Sequence, residues 1–253
     1  VERASSSVNL AGTAVNAGWV TTFNEFAVVS ENRCTTIPSD SDRRLAALFG
    51  CAVTTGFGVV ENNARVRAGE SLVVYGSGGV GLSIVQAAAM HGAHPIIGVD
   101  LHNDRLALAA EMGATHLVNG SESVVEDRLC EILGDGGADV FIDNTGLTEV
   151  VEMGYRLTSK VGRLVLVGVP DSAERICLAP LPLYFGKVVT GSHGGEAEPA
   201  DDIPRLMGLL GSGALKLENL VSTTVPLEKV NDAIRSMKAG ELAGRCLISL
   251  DDS

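Results

Sequence analysis

Residues 72–81 read Leu-Val-Val-Tyr-Gly-Ser-Gly-Gly-Val-Gly, and Asp100 follows Gly81 by 19 positions, closing Pro-Ile-Ile-Gly-Val-Asp. An apolar run, a glycine turn, a helical stretch, a second apolar run and a carboxylate together have the spacing of a dinucleotide grip. Gly76 permits the tight turn, Gly78 lets backbone approach a pyrophosphate, and Gly81 lets the helix lie close on the strand. Gly79 and Val80 fill the turn and open the helix, whose unpaired N–H groups and positive end face the phosphates. The Asp100 carboxylate is placed to accept hydrogen bonds from both adenosine ribose hydroxyls and to repel a 2′-phosphate, which selects NAD over NADP. The plainer reading of Asp100 is a water-solvated acid at a strand end. A glycine turn alone is weak evidence; the weight lies in the whole unit.

The elements that must carry this grip continue past Asp100. Asn103 is expected to cap a helix ending at Gly113, and residues 115–119 form a short strand. Residues 122–133 have helical spacing and stop at Gly134; residues 138–143 are a strand, 148–158 a helix, 163–169 a strand and 188–192 another. Continuous Val, Ile and Leu runs such as residues 164–167 suit parallel strands buried on both faces. The expected fold is α/β: a doubly wound, six-stranded parallel Rossmann sheet over residues 53–192. Residues 19–38, with Phe23, Phe26, Val28 and Val29, read as an irregular or antiparallel strand, and residues 41–48 as a short capped helix. Residues 201–210 and 227–237 read as helices, 220–225 and 245–250 as extended, and Ser5-Ser6-Ser7 as a loose terminus. Residues 1–52 and 193–253 are therefore expected to form a partial, discontinuous, β-rich second domain.

Composition narrows the partners. The chain has 253 residues, 45% of them hydrophobic and 20% charged, which fits a globular protein with a sizeable core. A net charge of −12 disfavours nucleic acid and anionic membranes. No apolar run reaches the roughly 18 residues of a membrane span. Five scattered cysteines, Cys34, Cys51, Cys130, Cys177 and Cys246, read as reduced thiols in a cytoplasmic protein rather than a disulfide framework. They contain no CxxC pair, so a compact structural zinc knot is absent from them.

Three segments carry a family resemblance: Cys-Ala-Val-Thr-Thr-Gly-Phe-Gly from Cys51, Tyr-Gly-Ser-Gly-Gly-Val-Gly-Leu-Ser from Tyr75, and Leu-Ala-Gly-Arg-Cys-Leu-Ile from Leu242. In that order, over about residues 21–250, the chain resembles the zinc-dependent alcohol dehydrogenases of the medium-chain dehydrogenase/reductase superfamily. The resemblance implies that Cys51 is a catalytic-zinc ligand and that Thr55 and Val80 pack against the nicotinamide. It implies that the strand end at Val167 to Val169 contacts the same ring. Arg105 is matched to a basic residue near the adenosine ribose, and Arg245 to an arginine that approaches the pyrophosphate. It further implies reversible oxidation of a small alcohol or polyol with NAD and zinc as cofactors, and a dimer or tetramer, dimers forming by pairing of sixth strands.

The departure from the family is a whole region. The family's first cysteine ligand and its Gly-His-Glu histidine lie upstream of the position matched by Cys51, and neither is present. The five histidines are His91, His94, His102, His116 and His193. Roughly a hundred residues, a small domain's worth, are expected to be missing upstream of a chain that opens on Val1, and the chain alone is expected to be inactive. A lone buried cysteine is often only a small hydrophobe, which is the competing reading of Cys51. His193 reads as a loop residue, His91 and His94 as surface residues, and the acids from Glu196 to Asp202 as a solvated helix start. A zinc-free, quinone-reductase-like member and a non-catalytic NAD-binding module are the alternative functions.

Overall fold

The computed structural model describes residues 7–16 and 22–250. Residues 19–21 of the expected first strand, and Ser5 and Ser6, lie outside the described residues. In chain order the elements begin with β1 (Ser7–Leu10), β2 (Thr13–Asn16), α1 (Arg43–Ala46) and α2 (Ala52–Gly58). They continue with β3 (Leu72–Tyr75), α3 (Gly79–Met90), β4 (Ile96–Asp100), α4 (Asn103–Glu111), β5 (His116–Asn119) and α5 (Val125–Leu133). Then come β6 (Ala138–Asp143), α6 (Thr148–Leu157), β7 (Thr158–Leu166) and β8 (Val188–Gly191). The series closes with α7 (Pro199–Gly211), β9 (Val221–Pro226), α8 (Val230–Lys238) and β10 (Arg245–Ser249).

Six strands form one parallel sheet in the order β5-β4-β3-β6-β7-β8. The chain order reverses between β3 and β6, and in sheets of this kind the ligand crevice lies beyond the carboxyl ends of the strands at that switch point. Strand β3 shows why the sheet is buried on both sides: Leu72, Val73 and Val74 have no exposed surface. Leu72 and Val74 join the cluster under α2, α3 and α7, while Val73 joins Ile97, Leu129 and Phe141 under α5 and α6. Each such side chain contributes about 1.5–3 kcal/mol by leaving water. Helix α3 is apolar around most of its girth, as a helix with no wet face must be, and it stops at Gly92, whose φ is +76°.

Several boundaries differ from the sequence-based expectation. Strand β7 starts five residues early, at Thr158, and stops at Leu166, three residues early. Beyond Leu166 the N–H groups of Val167 and Gly168 both turn to the Asp143 carbonyl, so the chain leaves the ladder there. Asn103 is the first residue of α4 rather than its cap; His102 holds the cap position, and the Asn103 side chain joins Asn119 and Glu122 instead. The segment expected to be helical at 41–48 is α1 plus a 3₁₀ turn at 47–50, with Asp42 accepting from the Arg44 N–H as the cap. Residues 22–38 form no strand, only a 3₁₀ turn at Glu31–Arg33, and Phe26 and Val28 are 89% and 103% exposed. A strand needs a neighbour for its backbone, and no described segment pairs with this one. Outside the large sheet the described strands form two separate pairs, antiparallel β1–β2 and parallel β9–β10. No single described helix is long and apolar enough to cross a membrane.

Candidate dinucleotide site

The glycine turn between β3 and α3 divides its labour by position. Gly76 has φ +97°, a left-handed conformation that disfavours a side chain, and its carbonyl accepts from Asn144 Nδ2 at 3.2 Å. A Cβ at Gly81 would collide with the Gly76 carbonyl oxygen, so glycine there lets α3 close onto the turn. Gly78 sits at the helix cap without a side-chain cap bond and with open space where a Cβ would project. At Gly79 a Cβ would strike the Arg245 guanidinium, so Arg245, carried in from β10, lies on the first turn of α3. A cation, a helix amino end and a glycine backbone thus come together, a combination suited to an anion.

Asp100 ends β4 and is 7% exposed. Its Oδ2 accepts the Ser77 N–H at 2.8 Å, and its Oδ1 accepts the N–H groups of Leu101 at 2.8 Å and His102 at 3.1 Å. The carboxylate therefore locks the glycine turn to β4 as well as standing at the crevice. Arg105 Nη1 lies 3.7 Å from Asp100 Oδ1, its Nη2 donates to the Leu242 carbonyl at 3.3 Å, and its buried Nε has no hydrogen-bond partner. Leu101 and Leu147, 56% and 50% exposed, follow β4 and β6, the strands on either side of β3. The Tyr75 phenol reaches toward Gly120 beside Leu101. Burial, then the carboxylates of Glu149, Asp100 and Asp143, push its pKa above the usual phenol value, so it stays neutral.

Thr55 lies buried on α2, which packs so closely on α3 that a Cβ at Gly56 would stand 2.5 Å from Ser83 Cβ. Val80 is half-buried on α3, placing both residues on this helix pair. Val167 is half-buried just past β7, but Val169 is 90% exposed, in the chain beyond the strand end. Cys51 caps α2 with an exposed side chain. No group of three His, Cys, Asp or Glu side chains capable of holding a metal occurs among the described residues. His193 is exposed and caps a 3₁₀ turn, its N–H donating to Glu196 Oε1 at 3.1 Å. His94 is exposed as expected, while His91 is half-buried, with Nδ1 2.8 Å from the Ala87 carbonyl and Nε2 3.5 Å from Glu61.

One contributor escaped the sequence reading: the loop after β6. Asp143 has no exposed surface and accepts the Thr145 N–H at 2.9 Å, the Thr145 hydroxyl at 2.6 Å and the Gly146 N–H at 3.0 Å. This folded turn brings Asn144 to the Gly76 carbonyl and Thr145 to within 3.1 Å of the place a Gly76 Cβ would take. The signal was Asp-Asn-Thr-Gly after an apolar strand, a pattern in which an aspartate folds back on the backbone that follows it.

Comparison with known proteins places the chain in a family. The family profile described as "Zinc-binding dehydrogenase" matches residues 79–212. A Saccharomyces cerevisiae S-(hydroxymethyl)glutathione dehydrogenase is 33% identical over 226 residues, covering 87% of this chain and 58% of that protein. An Oryctolagus cuniculus alcohol dehydrogenase class-2 isozyme 2 is 34% identical over 232 residues, covering 90% of this chain and 61% of that one. Among solved structures, an alcohol dehydrogenase zinc-binding domain protein from Burkholderia ambifaria superposes with a TM-score of 0.83 at 34% identity, over 89% of this chain and 60% of that one. The chain thus spans about three fifths of the length of these relatives.

Proposed function

Because the chain belongs to the zinc-binding dehydrogenase family, we propose that it is the nucleotide-binding portion of an NAD(H)-dependent oxidoreductase acting on a small alcohol or its carbonyl product. The observation that carries this reading is the convergence of the open Gly78 backbone, Arg245 over the start of α3 and the buried Asp100 around one crevice. Residues present fit the dinucleotide: Gly76 to Gly81 and Arg245 would take the pyrophosphate, Asp100 and Arg105 the adenosine ribose, and Thr55, Val80, Val167 and Val169 the nicotinamide end. When bound, the dinucleotide supplies the hydride acceptor or donor. The protein's part is to orient it and to hold the helix dipole and Arg245 against its phosphates. Residues 53–192 form the nucleotide domain in this reading, and 1–52 with 193–253 belong to the catalytic domain.

Zinc stands differently. A catalytic site takes three protein ligands and an open position. Among the described residues no group of three such ligands occurs, and Cys51, a free and exposed cysteine, does not make up such a set by itself. Cys51 is this chain's share of the site, and the metal's part in the chemistry does not follow from these residues.

The direct test is titration of the chain with NADH, followed by nicotinamide fluorescence, with ADP-ribose as competitor. Saturable binding displaced by ADP-ribose is expected; a flat titration overturns the reading.

The same reading includes assembly through β8. This strand ends the sheet order, and Val188 on it, with Tyr184 and Phe185 just before it, is 47%, 83% and 71% exposed. An uncovered apolar edge favours pairing with a second copy. Val188→Lys is expected to shift sedimentation from dimer to monomer while leaving NADH affinity in place. A wild-type chain that sediments as a monomer at tens of micromolar concentration removes this proposal.

A further inference from the structure

At the amino end of the sheet, opposite the dinucleotide crevice, lies a cavity of about 630 Å³ between the starts of β6 and β7 and the segment leading into β8. Leu133 and Leu157 are among its walls, and Leu181 and Phe185, 66% and 71% exposed, line its open side. The loop Gly134–Gly137 forms one rim, and the positions where a Cβ would project at Gly134 and Gly136 are open. Two polar groups in this lining lack a natural complement. Lys187 is 8% exposed, and its Nζ donates to the carbonyls of Tyr155 and Thr158, each at 2.7 Å, and lies 4.6 Å from the centre of the Tyr155 ring. No carboxylate pairs with it among the described residues. Next in the chain to Thr158, Ser159 buries its Oγ with no hydrogen-bond partner.

A buried ammonium is costly unless something of opposite charge meets it, and a buried hydroxyl is costly unless bonded. Two carbonyls and a ring face meet the Lys187 charge only in part. Burial alone pushes its pKa below the usual lysine value, with no acidic neighbour to restore it. The other charges of the lining do not supply the missing anion. Arg156 is held by Glu126, Lys160 adds positive charge, and Asp135 is exposed on the rim.

We propose that this cavity is a second ligand site, independent of the dinucleotide, for a small amphipathic carboxylic acid. Its carboxylate meets Lys187 and the Ser159 hydroxyl, and its hydrocarbon body lies against Leu157, Leu181 and Phe185. The volume is in the range of small-molecule pockets, and an apolar wall with a few convergent polar groups is their usual make-up.

The test uses octanoate as probe and octanamide as its uncharged counterpart, with binding measured by calorimetry and by backbone amide shifts. Octanoate is expected to bind at least tenfold more tightly than octanamide and to shift the amides of Ser159 and Leu181. Lys187→Met keeps the apolar stem and removes the charge. It is expected to weaken octanoate at least tenfold, in line with loss of a charge-assisted hydrogen bond, and to leave NADH affinity within twofold. Should that variant fail to fold, Ser159→Ala and Phe185→Ala carry the test, each expected to weaken octanoate severalfold. Equal affinity for the two probes, or octanoate binding that shifts no amide around the cavity, overturns the site and leaves Lys187 as a cap on the end of α6. Loss of NADH binding by the wild type would instead strike the dinucleotide reading and leave this site untouched.

Discussion

Asp100→Ser is expected to raise the dissociation constant for NADH by about 30- to 100-fold and to bring NADPH to parity or better. Two hydrogen bonds from ribose hydroxyls to one carboxylate are each charge-assisted, and together they account for a loss of that size. The gain for NADPH has a second source in Arg105. Its Nη1 stands 3.7 Å from Asp100 Oδ1 and its buried Nε is unpartnered, so removing the acid frees a guanidinium for a 2′-phosphate. The structure also predicts a cost to the fold that is separate from binding. Asp100 holds the Ser77 N–H at 2.8 Å, and stranding that buried donor costs about 1–3 kcal/mol. For a chain of this size each kcal/mol lowers Tm by about 2–4 °C. Thermal melts of the free protein read the second effect, and paired NADH and NADPH titrations read the first. A lowered Tm with an unchanged NADH-to-NADPH ratio would make Asp100 a turn-locking residue only.

The turn-locking bonds of Asp100, beside the ribose contact proposed for it, mark the limit of what the sequence discloses. The strand–turn–helix–strand unit from Leu72 to Asp100 was legible because its glycines have local causes: a positive φ at Gly76 and a close approach at Gly81. The six strands were legible because sheet burial writes itself as runs of Val, Ile and Leu. What stayed hidden depends on partners distant in the chain. The Asp143 turn serves the site only because β6 lies beside β3, bringing Asn144 to Gly76. Asn103 had a better use for its side chain than capping, since Asn119 and Glu122 face it from the end of β5 and the loop beyond. Residues 22–38 carry the composition of a strand, yet a strand exists only where another backbone completes it. The family resemblance supplied Arg245, which no local spacing connects to a turn more than 160 residues earlier; the structure seats it on Gly79.

Gly78→Val and Gly81→Ala, at two glycines of one motif, are expected to fail in opposite ways. At Gly78 the backbone is extended, with φ −74° and ψ −171°, and nothing lies within 4 Å of the place a Cβ would take. A valine is compatible with that conformation and meets no neighbour, so Tm is expected to stay within about 2 °C of the wild type, as for substitutions that disturb no packing. In the proposed binding mode the same side chain fills the space through which a pyrophosphate would reach the amino end of α3, and NADH affinity is expected to fall at least 100-fold. At Gly81 even one methyl would collide with the Gly76 carbonyl, a rigid backbone atom, so α3 must lift off β3. Overpacking of this kind typically costs about 1–3 kcal/mol, with Tm falling accordingly. Whatever NADH affinity remains then reports the displaced helix rather than an obstructed seat. Thermal melts and NADH titrations on the two variants side by side separate these outcomes. Full NADH affinity in a folded Gly78→Val variant would place the phosphates somewhere other than the start of α3, and the roles given to Arg245 and Asp100 would go with them.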